Sequence, residues 1–203
     1  MSDSVSGASW NEAVFELLGG QMVVVPTDTV YGIAVRVDDG DALNRLFDLK
    51  GRDRAKPIAV LVASPDEAER LGIFDERSRR LAEHFWPGAM TLVVNRQPAF
   101  VHELGGGRGT IGIRCPNHRD MLDLLERTGP LAVTSANVSG ATTPHTAAGV
   151  SAELGDQVAL VVDGGTLGGA PSTVVDCTTE FPDVLREGPI SRADLRAALA
   201  DLT

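Results

Sequence analysis

The feature that most constrains this chain is a regular exchange between two hydrophobic periods. Short β-rich runs alternate with segments whose apolar side chains recur every three or four positions. The runs are MVVV from Met22, IAVLV from Ile58, TLVV from Thr91, TIGIR from Thr110, LAVTS from Leu131, ALVVD from Ala159 and STVVD from Ser172. Helical spacing covers Trp10 to Leu18, Ala42 to Leu49, Glu76 to Phe85, Arg119 to Arg127 and Arg192 to Leu202. Strands this apolar need cover, and the intervening helices supply it. The pattern predicts an α/β fold with a twisted, mostly covered, mixed sheet and flanking helices.

Local chemistry marks several boundaries. In Ser64-Pro65-Asp66-Glu67, Ser64 is a helix N-cap, Pro65 fits the first helical position and Glu67 completes a capping box for a helix ending near Gly72. Cys115 and Cys177 are the only cysteines, too few for a disulfide framework. The pair Cys115 and His118 has a plausible ligand spacing but no second close pair, so Pro116-Asn117 is read as a strand end and an N-cap, with no protein-ligated metal.

A length of 203 residues and 43% hydrophobic content suit one good core, and one domain over 1–203 is expected. No repeat or linker interrupts it, and ELGGGRGT is the most flexible stretch, either a mobile loop near a ligand or an ordinary connection. The N-terminal stretch lacks the basic region of a signal peptide, and no apolar run approaches the ~20 residues of a membrane span. A soluble, cytoplasmic protein with no membrane partner is expected.

The net charge of −10 argues against a generic attraction to nucleic acid. Against it stand five cations between Arg45 and Lys56 (Arg45, Lys50, Arg52, Arg54, Lys56) and two anions, Asp48 and Asp53, a local balance of 5 − 2 = +3. Lys50-Gly51-Arg52 alone reads as a helix end, with Gly at the cap and cations favouring the macrodipole. Arg54 and Lys56 repel these charges unless solvated or gathered around an anion such as a triphosphate.

Two polar turns follow apolar strands. PTDTVYG sets Thr27, Asp28, Thr29 and Tyr31 at a strand edge facing solvent, where open α/β sheets bind ligands; its plainer reading is a turn in which Asp28 bonds its own backbone. TSANVSG offers Ser135, Asn137 and Ser139 at a strand exit, either as ligand contacts or as an ordinary turn. No phosphate-binding G-x-x-x-x-G-K-[ST], no dinucleotide G-x-G-x-x-G in context and no G-x-S-x-G elbow occurs. His84, His102, His118 and His145 have no recognisable partner order, so acyl-enzyme chemistry ranks low.

Taken together, PTDTVYG, KGRDRAKPIAVLV, FWPGAMTLVV, GTIGIRCPNH, PLAVTSANVSG, PSTVVD and LREGPIS resemble the YrdC-type threonylcarbamoyl-AMP synthases, in order and over roughly Val23 to Ser191. The resemblance implies a YrdC-like domain with a concave cationic cavity. It implies synthesis of threonylcarbamoyl-AMP and pyrophosphate from L-threonine, bicarbonate and ATP, with Mg²⁺ on the phosphates. The product would pass to downstream tRNA threonylcarbamoyl-transfer proteins, with tRNA contact as a further expectation.

By motif position, Lys50 and Arg52 are the catalytic phosphate ligands; Arg52, Lys56, Thr110, Asn137 and Arg186 serve ATP; Thr29, Arg114, Ser135 and Ser172 serve threonine. Arg114 would fork onto the amino-acid carboxylate, and the hydroxyls would read the substrate's own hydroxyl. The chain departs from some relatives at Leu61, where they carry histidine, and at His145, where they carry a hydroxyl residue. Longer relatives add a C-terminal domain, and this chain resembles the single-domain form. Alternatives are a module binding tRNA or double-stranded RNA through the cations, and an enzyme handling a related carbamoyl-adenylate.

Overall fold

The computed structural model describes residues 9–51, 53–107, 109–137 and 141–202. The strands within them are β1 (Val23–Val25), β2 (Gly32–Arg36), β3 (Ala59–Leu61), β4 (Gly72–Ile73), β5 (Met90–Arg96), β6 (Thr110–Arg114), β7 (Leu131–Ser135), β8 (Leu160–Val161), β9 (Thr173–Asp176) and β10 (Asp183–Arg186). The helices are α1 (Trp10–Leu18), α2 (Gly40–Lys50), α3 (Pro65–Leu71), α4 (Glu76–Phe85), α5 (Arg119–Thr128), α6 (Ala147–Leu154) and α7 (Arg192–Ala198). The strands form one sheet in the order β10-β9-β5-β6-β3-β7-β2-β1-β8, with β4 on β5. It is mixed: β1–β8, β3–β6 and β5–β9 are parallel, and the other pairs are antiparallel.

The two-residue period of a strand divides each run between two faces. Val24 joins one core with Ile33, Val60, Leu92 and Ile113, packed with Leu43, Leu46 and Phe47 of α2 and Leu81 of α4. Val23 and Val25 join a second core with α1 residues Ala13 and Leu17 and α5 residues Met121, Leu124 and Leu125. This second cover does not extend across β5, β6 and β9. There the alternate residues Thr91, Val93, Thr110, Gly112, Arg114 and Val174 line a cavity. Burial of a strand on one face by helix and on the other by a cavity wall accounts for adjacent Val174 and Val175, the first lining the cavity and the second fully buried.

Several boundaries differ from the sequence reading for local reasons. Ser64 does cap α3, accepting from Glu67 N at 3.2 Å, but Glu67 Oε2 accepts from Ala63 N at 2.8 Å, so the reciprocal bond closes one residue earlier than in a capping box. The cap of α5 is His118, whose Nδ1 accepts from Met121 N at 3.3 Å, and not Asn117. The last helix stops at Ala198 and continues as a 3-10 turn over Ala200–Leu202. Strands β2, β4 and β10 and helix α6 escape the sequence reading altogether; α6, AAGVSAEL, is built of small residues with little amphipathic contrast.

Candidate active site

The cavity has a volume of about 730 Å³, within the ~300–1,000 Å³ range of small-molecule sites. Its lining includes three cations, Lys56, Arg114 and Arg186, and, among the described residues, no carboxylate. Hydroxyls of Thr27, Thr29, Thr91, Thr110, Thr134, Ser135 and Ser172 supply the remaining polar side chains of the lining among the described residues. Such a lining stabilises anions without offering a general base of its own.

Arg114, 5% exposed, is held at three points. Its Nε donates to Gly88 O at 2.9 Å, Nη1 to Thr29 Oγ1 at 2.9 Å and Nη2 to Asp28 Oδ1 at 2.5 Å. Burial pulls its guanidinium below the ordinary arginine value, and the Asp28 charge opposes that shift. Three of five N–H donors are thereby committed, leaving two for a ligand. The PTDTVYG turn is closed by Thr27, whose Oγ1 donates to Val30 O at 2.7 Å and accepts from Thr29 N and Val30 N, both at 3.2 Å. Asp28 is thus the counter-ion of Arg114 and not the residue that closes its own turn. Tyr31 does not face solvent: it is fully buried, with its hydroxyl donating to Gly165 O at 2.8 Å and accepting from Gly164 N at 3.0 Å.

Across the cavity, Arg186 donates from Nε and Nη2 to Ser172 O at 3.1 and 2.8 Å, and from Nη2 to Ser172 Oγ at 3.1 Å. A one-residue irregularity in the β9–β10 register, between Val184 and Arg186, accompanies this inward reach. Ser172 Oγ also lies 2.8 Å from Thr91 Oγ1.

Lys50 takes a different place from the one its motif suggests. It is 3% exposed and does not line the cavity. Its Nζ donates to Ser135 O at 2.7 Å, to Asn137 Oδ1 at 3.1 Å and to Asn137 O. Asn137 Oδ1 further accepts from Ser135 Oγ at 2.5 Å, and its Nδ2 donates to Ala141 O at 2.7 Å. The ammonium therefore pins the turn that carries Ser135 to the cavity wall. Gly51 at φ 52° ends α2 in the left-handed region, as a C-cap glycine does.

The cation run does not converge on one point. Arg45 donates to Gly20 O at 2.5 Å; Arg54 donates to Asn44 Oδ1 at 2.9 Å and lies 4.8 Å from the Phe47 ring centroid. Only Lys56 of the described cations in this run reaches the cavity lining. Arg52 and Ser139 lie outside the described residues. Of the ELGGGRGT stretch, Gly105 and Gly106 pack back on this segment: Gly106 N donates to Arg54 O at 2.7 Å, and a Cβ at Gly105, whose φ is 78°, would come within 2.7 Å of the same carbonyl.

A family model for Sua5, YciO and YrdC, described as "Telomere recombination", matches residues 16–188. This chain belongs to the Sua5/YciO/YrdC family. Among relatives, a Mycobacterium tuberculosis protein, itself a provisionally named threonylcarbamoyl-AMP synthase, is 44% identical over 181 residues, 88% of this chain and 83% of its own. The Bacillus subtilis threonylcarbamoyl-AMP synthase is 35% identical over 195 residues, 94% of this chain and 56% of its own. The Pyrococcus abyssi Sua5 structure in complex with L-threonine superposes with a TM-score of 0.89 at 33% identity, covering 94% of this chain and 57% of that one. The chain thus spans just over half the length of the two longer relatives.

Within this Sua5/YciO/YrdC fold, Thr29, Lys56, Thr110, Arg114, Ser135, Ser172 and Arg186 are brought together on one lining, while Lys50 and Asn137 stand behind it. Leu61 also lines the cavity, and His145 instead ties two loops, its Nδ1 lying 2.6 Å from Leu167 O. Thr91 and Gly188 join the site's framework without having been singled out in the sequence, Gly188 by packing so closely that a Cβ there would lie 2.7 Å from the Ser172 carbonyl carbon; Asp28 was singled out, but as a turn residue and not as the counter-ion of Arg114. The usable signal for Thr91 was a hydroxyl at the head of the apolar run TLVV, on the same strand face as Val93.

Proposed function

We propose that this chain catalyses the formation of threonylcarbamoyl-AMP and pyrophosphate from L-threonine, bicarbonate and ATP. The observation that carries the reading is the cavity itself: three cations, many hydroxyls and no lining carboxylate among the described residues, in a chain of this family. Relatives named as threonylcarbamoyl-AMP synthases, and a related structure holding L-threonine, support the choice of substrates.

In this reading the threonine amine forms a C–N bond to bicarbonate as a C–O bond breaks and water leaves; the resulting carbamate oxygen attacks the α-phosphorus of ATP, a new P–O bond forms, and the bond to pyrophosphate breaks. The charge to be stabilised is on the phosphates, a task for preorganised cations and not for a covalent nucleophile. Arg114, with its two remaining N–H donors, Thr29, Ser135 and Ser172 are assigned to threonine. Lys56, Thr110 and Arg186 are assigned to ATP, with Arg52 assigned from its motif alone. Lys50 and Asn137 act on the cavity by holding the Ser135 turn.

Mg²⁺ is assigned to the phosphates of the substrate. The donor set of the lining, hydroxyls and cations, does not make a protein cage for this hard cation, which favours carboxylate and water oxygens. No step is routed through it. Downstream transfer proteins acting on tRNA are the proposed consumers of the product, and the cytoplasm is the proposed location. No helix among the described residues is long and apolar enough to cross a membrane.

The test is pyrophosphate release by purified protein with ATP, with threonine and bicarbonate omitted in turn. Release requiring both supports the assignment; release indifferent to either refutes it.

A further inference from the structure

Two hydroxyls meet on the cavity wall where β5 and the entry to β9 lie side by side. Thr91 Oγ1 and Ser172 Oγ are 2.8 Å apart, either able to donate. Both residues are 5% exposed, and both line the cavity. The methyl of Thr91 is turned towards Gly112, where a Cβ would lie 3.4 Å from it. Arg186 Nη2 already donates to Ser172 Oγ at 3.1 Å, so one of that oxygen's two lone pairs is occupied.

Counting protons leaves two arrangements. If Ser172 donates to Thr91, the Thr91 proton is unspent and Ser172 retains one lone pair. If Thr91 donates to Ser172, both Ser172 lone pairs are filled, the Ser172 proton is unspent, and Thr91 keeps its lone pairs. In either case the cavity meets one donor on one oxygen and an acceptor on the other. A carboxylate can use only the donor, and a methyl group uses neither. An aliphatic hydroxyl uses both at once, accepting from one oxygen and donating to the other to close a ring of three hydroxyls.

We propose that Thr91 is a specificity-determining residue of this cavity, acting with Ser172 as a single two-hydroxyl reader of the β-hydroxyl of an amino-acid substrate. The inference rests on the functional reading above for its substrate. It adds a residue from the start of β5 to that site and gives a reason for a preference for a hydroxylated side chain. A site built to bond a hydroxyl rejects the analogue lacking it, because its own polar groups are left unpaired.

The probe is L-2-aminobutyrate, which is threonine with hydrogen in place of the hydroxyl. Binding of both amino acids is measured by calorimetry alongside pyrophosphate release, for wild type, Thr91→Val, Thr91→Ser, Ser172→Ala and the Thr91→Val/Ser172→Ala pair. Wild type is expected to prefer threonine. Thr91→Val should lower that preference about 2- to 10-fold, the equivalent of one hydrogen bond, with the apparent KM for ATP unchanged. Thr91→Ser should restore it, and the double variant should lose less than the product of the single losses. If Thr91→Val does not fold, Thr91→Ala is read in its place. An unchanged preference in the Thr91 variant, or independent losses in the double variant, overturns the proposal. Absence of threonine-dependent pyrophosphate release in wild type refutes the functional reading instead, and the binding preference still decides the role of Thr91; absence of threonine binding overturns both.

Discussion

Replacing Lys50 by Met tests whether the motif lysine is a strut or a surface charge. The change keeps an unbranched stem of similar length and removes an ammonium that serves Ser135 O at 2.7 Å, Asn137 Oδ1 at 3.1 Å and Asn137 O. Hydrogen bonds to a charged group contribute ~1.5–3 kcal/mol each, while burying the ammonium costs several kcal/mol. The balance leaves a net loss of about 2–4 kcal/mol, because two carbonyls and an amide oxygen lose a buried donor. For a domain of this size each kcal/mol shifts Tm by ~2–4 °C, so a fall of roughly 5–15 °C is expected by calorimetry. A solvated charge at a helix end would cost only ~0.3–1 kcal/mol. Pyrophosphate release should also fall, since the Ser135 turn loses its anchor. A Tm within about 2 °C of wild type would refute the strut, because a residue 3% exposed with these partners cannot be removed so cheaply.

Two further outcomes follow from other parts of the framework. A Cβ at Gly188 would lie 2.4 Å from Pro171 O and 2.5 Å from Thr173 N, so Gly188→Ala should cost about 1–3 kcal/mol and, by displacing Ser172, raise the threonine KM more than that for ATP in steady-state assays. Burial pushes the Cys115 thiol from 9.0 up to about 11 and that of Cys177 up to about 12. Raised values mean that the folded state favours the neutral thiols; their contribution is complete below pH 9 and is lost as pH rises through 11 and 12. The urea midpoint should therefore fall over that interval, and less steeply in Cys177→Ala; identical slopes would contradict the linkage.

The fold was legible where a segment had one clear hydrophobic period. Helices α1 and α4 and strands β6 and β7 emerge at the expected positions because their apolar spacing and their burial agree. Strand β2 was hidden because GIAVR runs directly out of the polar PTDTVYG turn, and β4 and β10 are too short for periodicity to register. The site was legible as a set of motifs but not as a geometry. Sequence placed Lys50 and Lys56 in one cation cluster; the end of α2 turns Lys50 inward against the Ser135 turn, and only Lys56 of the pair lines the cavity. The roles of Asp28 and Thr91 depend on contacts with Arg114 and Ser172, 86 and 81 residues away, and no local pattern reports such pairings.

The central claim is tested most directly by following the carbon of bicarbonate. Purified protein is incubated with ¹⁴C-bicarbonate, ATP and L-threonine, and the nucleotide products are separated. Label should appear in an adenylate that also contains threonine, in one-to-one proportion with released pyrophosphate, and only when all three substrates are present. An adenylate formed without label, or label entering nucleotide when threonine is withheld, would contradict the account.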